Sequence, residues 1–385
     1  MPAPRFFRTE IPFASDSLIA DLTLSMPPSA IDCALFFVSP DLDLAPFRAE
    51  LSRAFPNARL LGARSRGRAG NGGPDTPLLR ALGLPRSHFR SRVVSLTAAE
   101  TLSTTTLARK LLATRKSLYR EVPGWPQEFA ILLLDTDQIR EEATASRISS
   151  ALGTALIIGG GFCASDAADG PSVFGGIENE NAAAILIQVR GCCRAAGFRI
   201  DNFRPGERRL VVTGADPEAR LVTELNGAPA AAEYGRILGL HPFKMTEADF
   251  AAHPLLVRIG EDHCIQSICG STPDGALEFQ SPLSVGVVLR DAVALDVPAT
   301  LDRALAQLSS PVEPAAILAF DSRLRQLDRD RLTQNARLAD LLDRHRVIRV
   351  RTQGEIQGSL YHSNTLTGLA IYPPVTAEED AHVPG

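Results

Sequence analysis

Three short apolar runs in this chain open alike. They are "ALFFVSP" (34–40), "AILLLDT" (130–136) and "AILAFDS" (316–322), and each stops at an acidic or hydroxyl residue. Runs this short and this apolar read as strands covered on both faces. Each is followed by a polar segment with helical spacing and then by a second apolar run: "RLLGARS" (59–65), "ALIIGGG" (155–161) and "RVIRVRT" (346–352). The offsets from first run to second are 25, 25 and 30 residues. That is the length of a β-α-β crossover, which calls for parallel pairing and a right-handed connection. In the third unit Leu332, Leu338, Leu341 and Leu342 fall on one helical face, with Arg and Asp residues on the other.

Every second strand runs into glycines, at 67–73, 159–161 and 354–358. Ligands of open α/β sheets sit outside the carboxyl ends of strands, so these loops lie where a site is expected. The alternative is that each glycine supplies a turn of positive φ. Between the units the pattern changes. Segments 181–191, 208–216 and 286–295 alternate like antiparallel strands, and "TPDG" (272–275) reads as a tight turn. A helix over 102–120 carries Arg109, Lys110, Arg115, Lys116 and Arg120, either a solvated face or a docking surface for an acidic partner. The fold class that follows is α/β in a mixed α+β arrangement, with mixed sheets around repeated β-α-β units and helices packed on them.

At 385 residues the chain is too long for one ordinary core, so two domains are expected. A net charge of −4 offers no footprint for nucleic acid, and no stretch approaches the roughly 20 apolar residues of a membrane span. The N-terminus meets charges and prolines before any signal-peptide core can form. Six cysteines without a C-x-x-C pair fit a reducing cytoplasm.

The run "RPGERRLVVTGADPEARLVTELNGAPAAAEYGRILGL" (204–240) resembles the junction between the two halves of FIST proteins (F-box and intracellular signal transduction). Val212, Thr213, Glu224, Leu225, Asn226, Gly227, Pro229, Ala230, Tyr234 and Gly239 carry the match. "HPLLVRIG" (253–260), "PDGALEF" (273–279), "VGVVL" (285–289), "ILAFDSRLRQL" (317–327) and "TQGEIQG…TLTGLAI" follow in the family's order, and "IIGGGFCASD" (157–166) is similar to its N-terminal Gly-Gly turn. The resemblance implies a lead-in over 1–27, a FIST N-terminal domain over 28–215, a FIST C-terminal domain over 216–373 and a flexible tail over 374–385. It also implies a cytoplasmic, non-enzymatic sensor that binds a small ligand, such as an amino acid. Its output would pass to a separate signalling protein such as a histidine kinase or a cyclic-di-GMP enzyme. Neither nucleic acid nor membrane is expected as a partner. A related bacterial subgroup implies an alternative, a haem-based nitric oxide sensor, and a ligand-free protein-interaction scaffold is a third reading.

This sequence departs from the family pattern at Ser322, Gln266, Val285, Ser363, Ala63 and Arg68. Either its ligand differs from that of relatives, or binding is lost and a protein-contact role retained. Haem would need an axial side chain, with His253 the first candidate and His362 the second. Cys163 would be a nucleophile only with a His to activate it, and no motif for acyl or phosphoryl transfer is present. The "DHCIQSIC" run (262–269) lacks the paired spacing of tetrahedral zinc. An amino acid needs an anionic group for its ammonium and a cationic place for its carboxylate. Glu355 with Arg351 or Arg325 supplies both. The same Glu355 can instead cap its own turn. The expected ligand set is Arg64, Gly160, Gly161, Asp321, Arg325, Arg351, Thr352, Gly354, Glu355, Asn364 and Thr365.

Overall fold

The computed structural model describes residues 6–12, 17–65, 78–163, 171–175, 182–241, 244–327 and 335–374. The 67–73 loop, Leu332 and the tail beyond residue 374 lie outside the described residues. All three β-α-β units form as expected. Ile31–Val38 pairs in parallel with Arg59–Arg64, Gln127–Asp135 with Leu156–Phe162, and Ala316–Ser322 with Val347–Thr352.

Each unit extends in the same way on the side of its first strand. An antiparallel strand lies next to it and a second antiparallel strand beyond that. These pairs are Leu78–Pro85 with Phe7–Pro12, Ala184–Gly191 with Phe89–Leu96, and Leu366–Ile371 with Ala195–Ile200. The body is therefore a pseudo-threefold of three mixed sheets, the class the sequence implies. Their inner faces share one core, in which Phe37, Phe162 and Phe320 bring one ring from each unit. Phe37 lies 6.3 Å from Phe162 and 6.2 Å from Phe320, centroid to centroid. Two helices cover the outer face of each sheet. Leu22 of Leu18–Ser25 and Phe47 of Leu44–Ala54 cover the first, Leu107 and Ile148 the second, and Leu301 and Leu341 the third. Both faces are thus buried, which is why the founding strands read as unbroken apolar runs.

Between Ala195–Ile200 and the helix Val297–Leu308 the chain builds a separate antiparallel lobe over 203–294. Its apolar core, around Leu210, Tyr234, Phe250 and Phe279, is distinct from those of the body. The Leu295 amide donates to the Asn202 carbonyl at 2.8 Å, so the two connecting segments leave the body side by side. The "TPDG" turn forms as expected, with the Gly275 amide bonded to the Thr272 carbonyl.

The glycines at 159–161 and Gly354 lie in strands rather than loops, while Gly358 supplies a turn of positive φ. Gly159, Gly160 and Gly161 lie within the extended strand Leu156–Phe162, and none has a positive φ. They are small because neighbours are close: a Cβ on Gly159 would stand 1.8 Å from the Leu132 carbonyl oxygen, and one on Gly160 2.5 Å from Thr352 Cγ2. That room admits a guest strand. After Thr352 the chain leaves the third sheet, and Gly354–Gln357 pairs antiparallel with residues 158–161 of the second. A turn at Gly358, φ 61°, then returns it as Leu360–His362. Strand pairing therefore crosses the 215/216 boundary within the body here and between Ala195–Ile200 and Leu366–Ile371, and within the lobe where Phe203–Asp216 pairs with Leu221–Leu225 and Val288–Ala294.

Candidate functional site

The carboxyl ends of the parallel strands converge. Thr136 N–H bonds the Phe162 carbonyl at 2.9 Å and Arg323 N–H bonds the Thr352 carbonyl at 2.8 Å, the same contact in two units. By strand register and by the face each strand turns to the shared core, Ser65, Phe162 and Thr352 are equivalent, as are Arg64, Gly161 and Arg351. All six line one narrow cleft of about 20 Å³, completed by Pro40, Cys163, Arg323 and Gln353. The Ser65 hydroxyl closes the ring by donating to the Arg351 carbonyl at 2.8 Å. Among the described residues three arginines and no carboxylate line this end.

A wider cavity of about 370 Å³ shares Cys163, Arg323 and Gln353 with the narrow one and so continues it. It lies between body and lobe, and adds Thr136, Glu141, Glu247, Cys269, Gln280 and Leu324. Its carboxylates already have partners. Glu141 and Glu142 both meet Arg220, at 3.0 and 2.9 Å, and Glu247 pairs with Arg323. Burial raises the Glu141 carboxyl above its ordinary value, against the pull of Arg220. Burial likewise lowers Arg64, which Asp43 and Asp41 partly offset. Its guanidinium donates to the Pro40 carbonyl, which fixes it at the narrow end.

Of the residues expected from sequence, Arg64, Gly161, Arg351 and Thr352 line this cleft. The others stand behind it. Glu355 is fully buried; it accepts from Thr352 Oγ1 at 2.7 Å and from Thr365 Oγ1 at 2.8 Å. Its carboxyl is pushed well above the usual range, by burial first and by Asp321 in addition. Arg325 Nε meets Asp321 Oδ1 at 2.8 Å, and both side chains are buried. Gly354 and Gly160 are strand partners of Gly161 and Glu355. Asn364 adopts a left-handed φ of 59°, which Asn tolerates, and its side chain donates to the Ala251 carbonyl of the lobe at 2.8 Å. His253 ends the helix Glu247–Ala252, and its carbonyl accepts from Tyr234 at 2.6 Å. His362 lies inside the crossing hairpin, 4% exposed.

Sequence reasoning missed Arg323, Gln353, Glu141 and Glu247. Arg323 and Gln353 immediately follow strand ends, the signal that finds them. Glu247 reaches the cleft from the lobe, a long-range placement no local pattern encodes. Cys163 lines both cavities and donates to Asp137 Oδ1 at 3.1 Å. Among the described residues no group of three or more His, Cys, Asp or Glu can hold a metal ion, and no helix is long and apolar enough to cross a membrane.

No curated protein matches the chain. Two solved structures align over nearly its whole length. One described as a chorismatase has TM-score 0.35 and 9% identity over 97% of this chain and 99% of its own. One described as a cyanuric acid hydrolase has TM-score 0.38 and 9% identity over 96% and 99%. Likeness at that level carries no argument about activity. The family model for the FIST N domain matches residues 32–228, more than half of the 385 residues, and the chain belongs to the FIST family.

Proposed function

We propose that this protein is a sensor that binds a small zwitterion, an amino acid or a close relative, in the strand-end cleft and signals through a separate protein. FIST domains are sensor domains of signal transduction, which supplies the class. The observation that carries the ligand reading is the polarity of the cleft: Arg64 and Arg351 at the narrow end, Glu141 and Glu247 at the wide end. A ligand carboxylate meets the guanidiniums and its ammonium meets the glutamates, while Thr136, Cys163 and Gln353 flank the atoms between. The wide end is of ordinary small-ligand size. Glu355 has a supporting part, holding Thr352 against the cleft from behind.

Binding also has a route to output. The cleft is walled by body and lobe together. Around it the two are joined by polar contacts: the Arg220 and Arg323 ion pairs, Gln280 Nε2 to the Gln353 carbonyl at 3.2 Å, and Ser363 to Ser267 at 2.7 Å. A ligand that binds one lobe orientation better shifts the population towards it.

A thermal-shift screen of amino acids against carboxylates lacking an amine tests this. A ligand at 100 times its dissociation constant adds about 2.7 kcal/mol. Amino acids should raise the midpoint, simple carboxylates should do so less, and Arg351→Gln should weaken the response. If no compound moves the midpoint, the zwitterion reading is wrong. A Soret band formed on haem titration and abolished by His253→Ala would put a gas sensor in its place.

A further inference from the structure

The helix Thr104–Glu121 buries Leu107, Leu111 and Leu118 against the second sheet. Its opposite face carries a second, exposed stripe, at whose end Arg190 stands over the Tyr119 ring, 4.7 Å from its centroid. Thr105, Arg109, Leu112, Lys116 and Tyr119 are all exposed, at steps of four, three, four and three residues. That is the spacing of a heptad seam, here without a second helix on it among the described residues. Leu112 is 49% exposed and Tyr119 55%, on a face where a surface helix ordinarily carries only polar groups. Leu102, 69% exposed, prolongs the stripe past the Ser103 cap.

The charges on this face are not used internally. Lys110 and Arg115, beside the stripe, pair with Glu100 and Glu128. Among the described residues Arg109, Lys116 and Arg120 make no ion pair. The face is therefore positive on a chain whose net charge is −4.

The geometry points to this stripe as the docking surface for one α-helix of a separate protein. The partner helix would seat apolar residues on Leu112 and Tyr119 and set carboxylates against Arg109, Lys116 and Arg120. Knobs-into-holes contact from 105 to 119 would run about 21 Å at 1.5 Å per residue. A polyphosphate backbone would use the cations and leave Leu112 idle. A bilayer would need a broad apolar face, and this one is a single residue wide. The surface adds an output face to the sensor reading and does not depend on the cleft.

The test uses the full chain and two labelled three-heptad peptides with a Leu/Ile seam, one flanked by Glu and one by Lys, read by fluorescence anisotropy. The Glu peptide should bind, and its affinity should fall about tenfold or more with Leu112→Asp and with the Arg109→Glu/Lys116→Glu double variant. The double variant should gain the Lys peptide. Thermal melts of both variants should match the parent, since neither position is buried. The inference is overturned if the Glu peptide fails to bind or binds the variants equally well. It is equally overturned if phosphatidylglycerol vesicles or polyuridylate bind with the same dependence on these residues.

Discussion

Glu355 stands opposite His362 in the antiparallel ladder of the crossing hairpin, and burial drives both towards their neutral forms. The carboxyl is raised well above 4.5, while the imidazole is lowered to about 4, first by burial and then by Arg199. The hairpin that ties the third unit to the second sheet thus holds two buried ionisable groups whose neutral forms are favoured.

For His362 the sign is set by the unfolded chain, which takes up a proton below about 6.5 while the folded imidazole does not until about 4. Stability should fall as pH drops through that window, by up to roughly 3 kcal/mol. Urea titrations at pH 7 and pH 4.5 should show the loss in the parent and a shallower one in His362→Gln. Equal slopes would mean that the imidazole is solvated in the folded chain.

Glu355 acts in the opposite direction. Unfolded, it loses its proton above about 4.5; folded, it keeps it to higher pH, so its contribution is lost as pH rises through the folded value. Glu355→Gln should make stability less sensitive to pH on the alkaline side. It should leave amino-acid binding nearly intact, because this side chain does not line the cleft. A large loss of ligand affinity would bring Glu355 back into direct contact with ligand.

Gly160→Ala should destabilise by about 2–3 kcal/mol, because the new methyl meets Thr352 Cγ2. Adding Thr352→Ser removes that methyl while keeping the hydroxyl that bonds Glu355. The double variant should recover about 1 kcal/mol, a coupling expected only of residues in contact. Denaturant midpoints of the two singles and the double decide it; strict additivity would argue against this packing.

Arg220 holds two carboxylates across the seam between lobe and body. Arg220→Met should cost about 2 kcal/mol, between the cost of an exposed and a buried pair. Burial raises the Glu141 carboxyl, so the loss should be greater at neutral pH than at pH 4, where that partner is neutralised. Calorimetry at the two pH values checks this.

The three units were legible because each depends only on local patterning: an apolar run, a helical spacing and a second run at crossover distance. What joins them was not. The run Gly159–Gly161 reads as a turn, because glycine is the usual turn residue. Its real reason, the approach of Leu132, Thr352 and Tyr361, comes from residues as far as two hundred positions away. For the same reason Glu355, a polar residue beside glycines, reads as an exposed loop group. The site was half legible: strand ends pointed to Arg64, Gly161, Arg351 and Thr352, but not to the lobe's Glu247.

The Gly354–His362 crossing, together with the pairing of Ala195–Ile200 and Leu366–Ile371, also sets the order of assembly during synthesis. When residue 200 leaves the ribosome, the second sheet has a bare glycine edge and the third has a single strand. Neither gains its partner until about 150 further residues are made, so the body closes last and the lobe, built from neighbouring hairpins, can close first. A nascent chain of this kind exposes an unpaired glycine strand edge for about half of its translation, a form open to pairing with another copy. Its yield in a cell should therefore respond to translation rate and to chaperones that shield strand edges, more than to the stability of the finished protein.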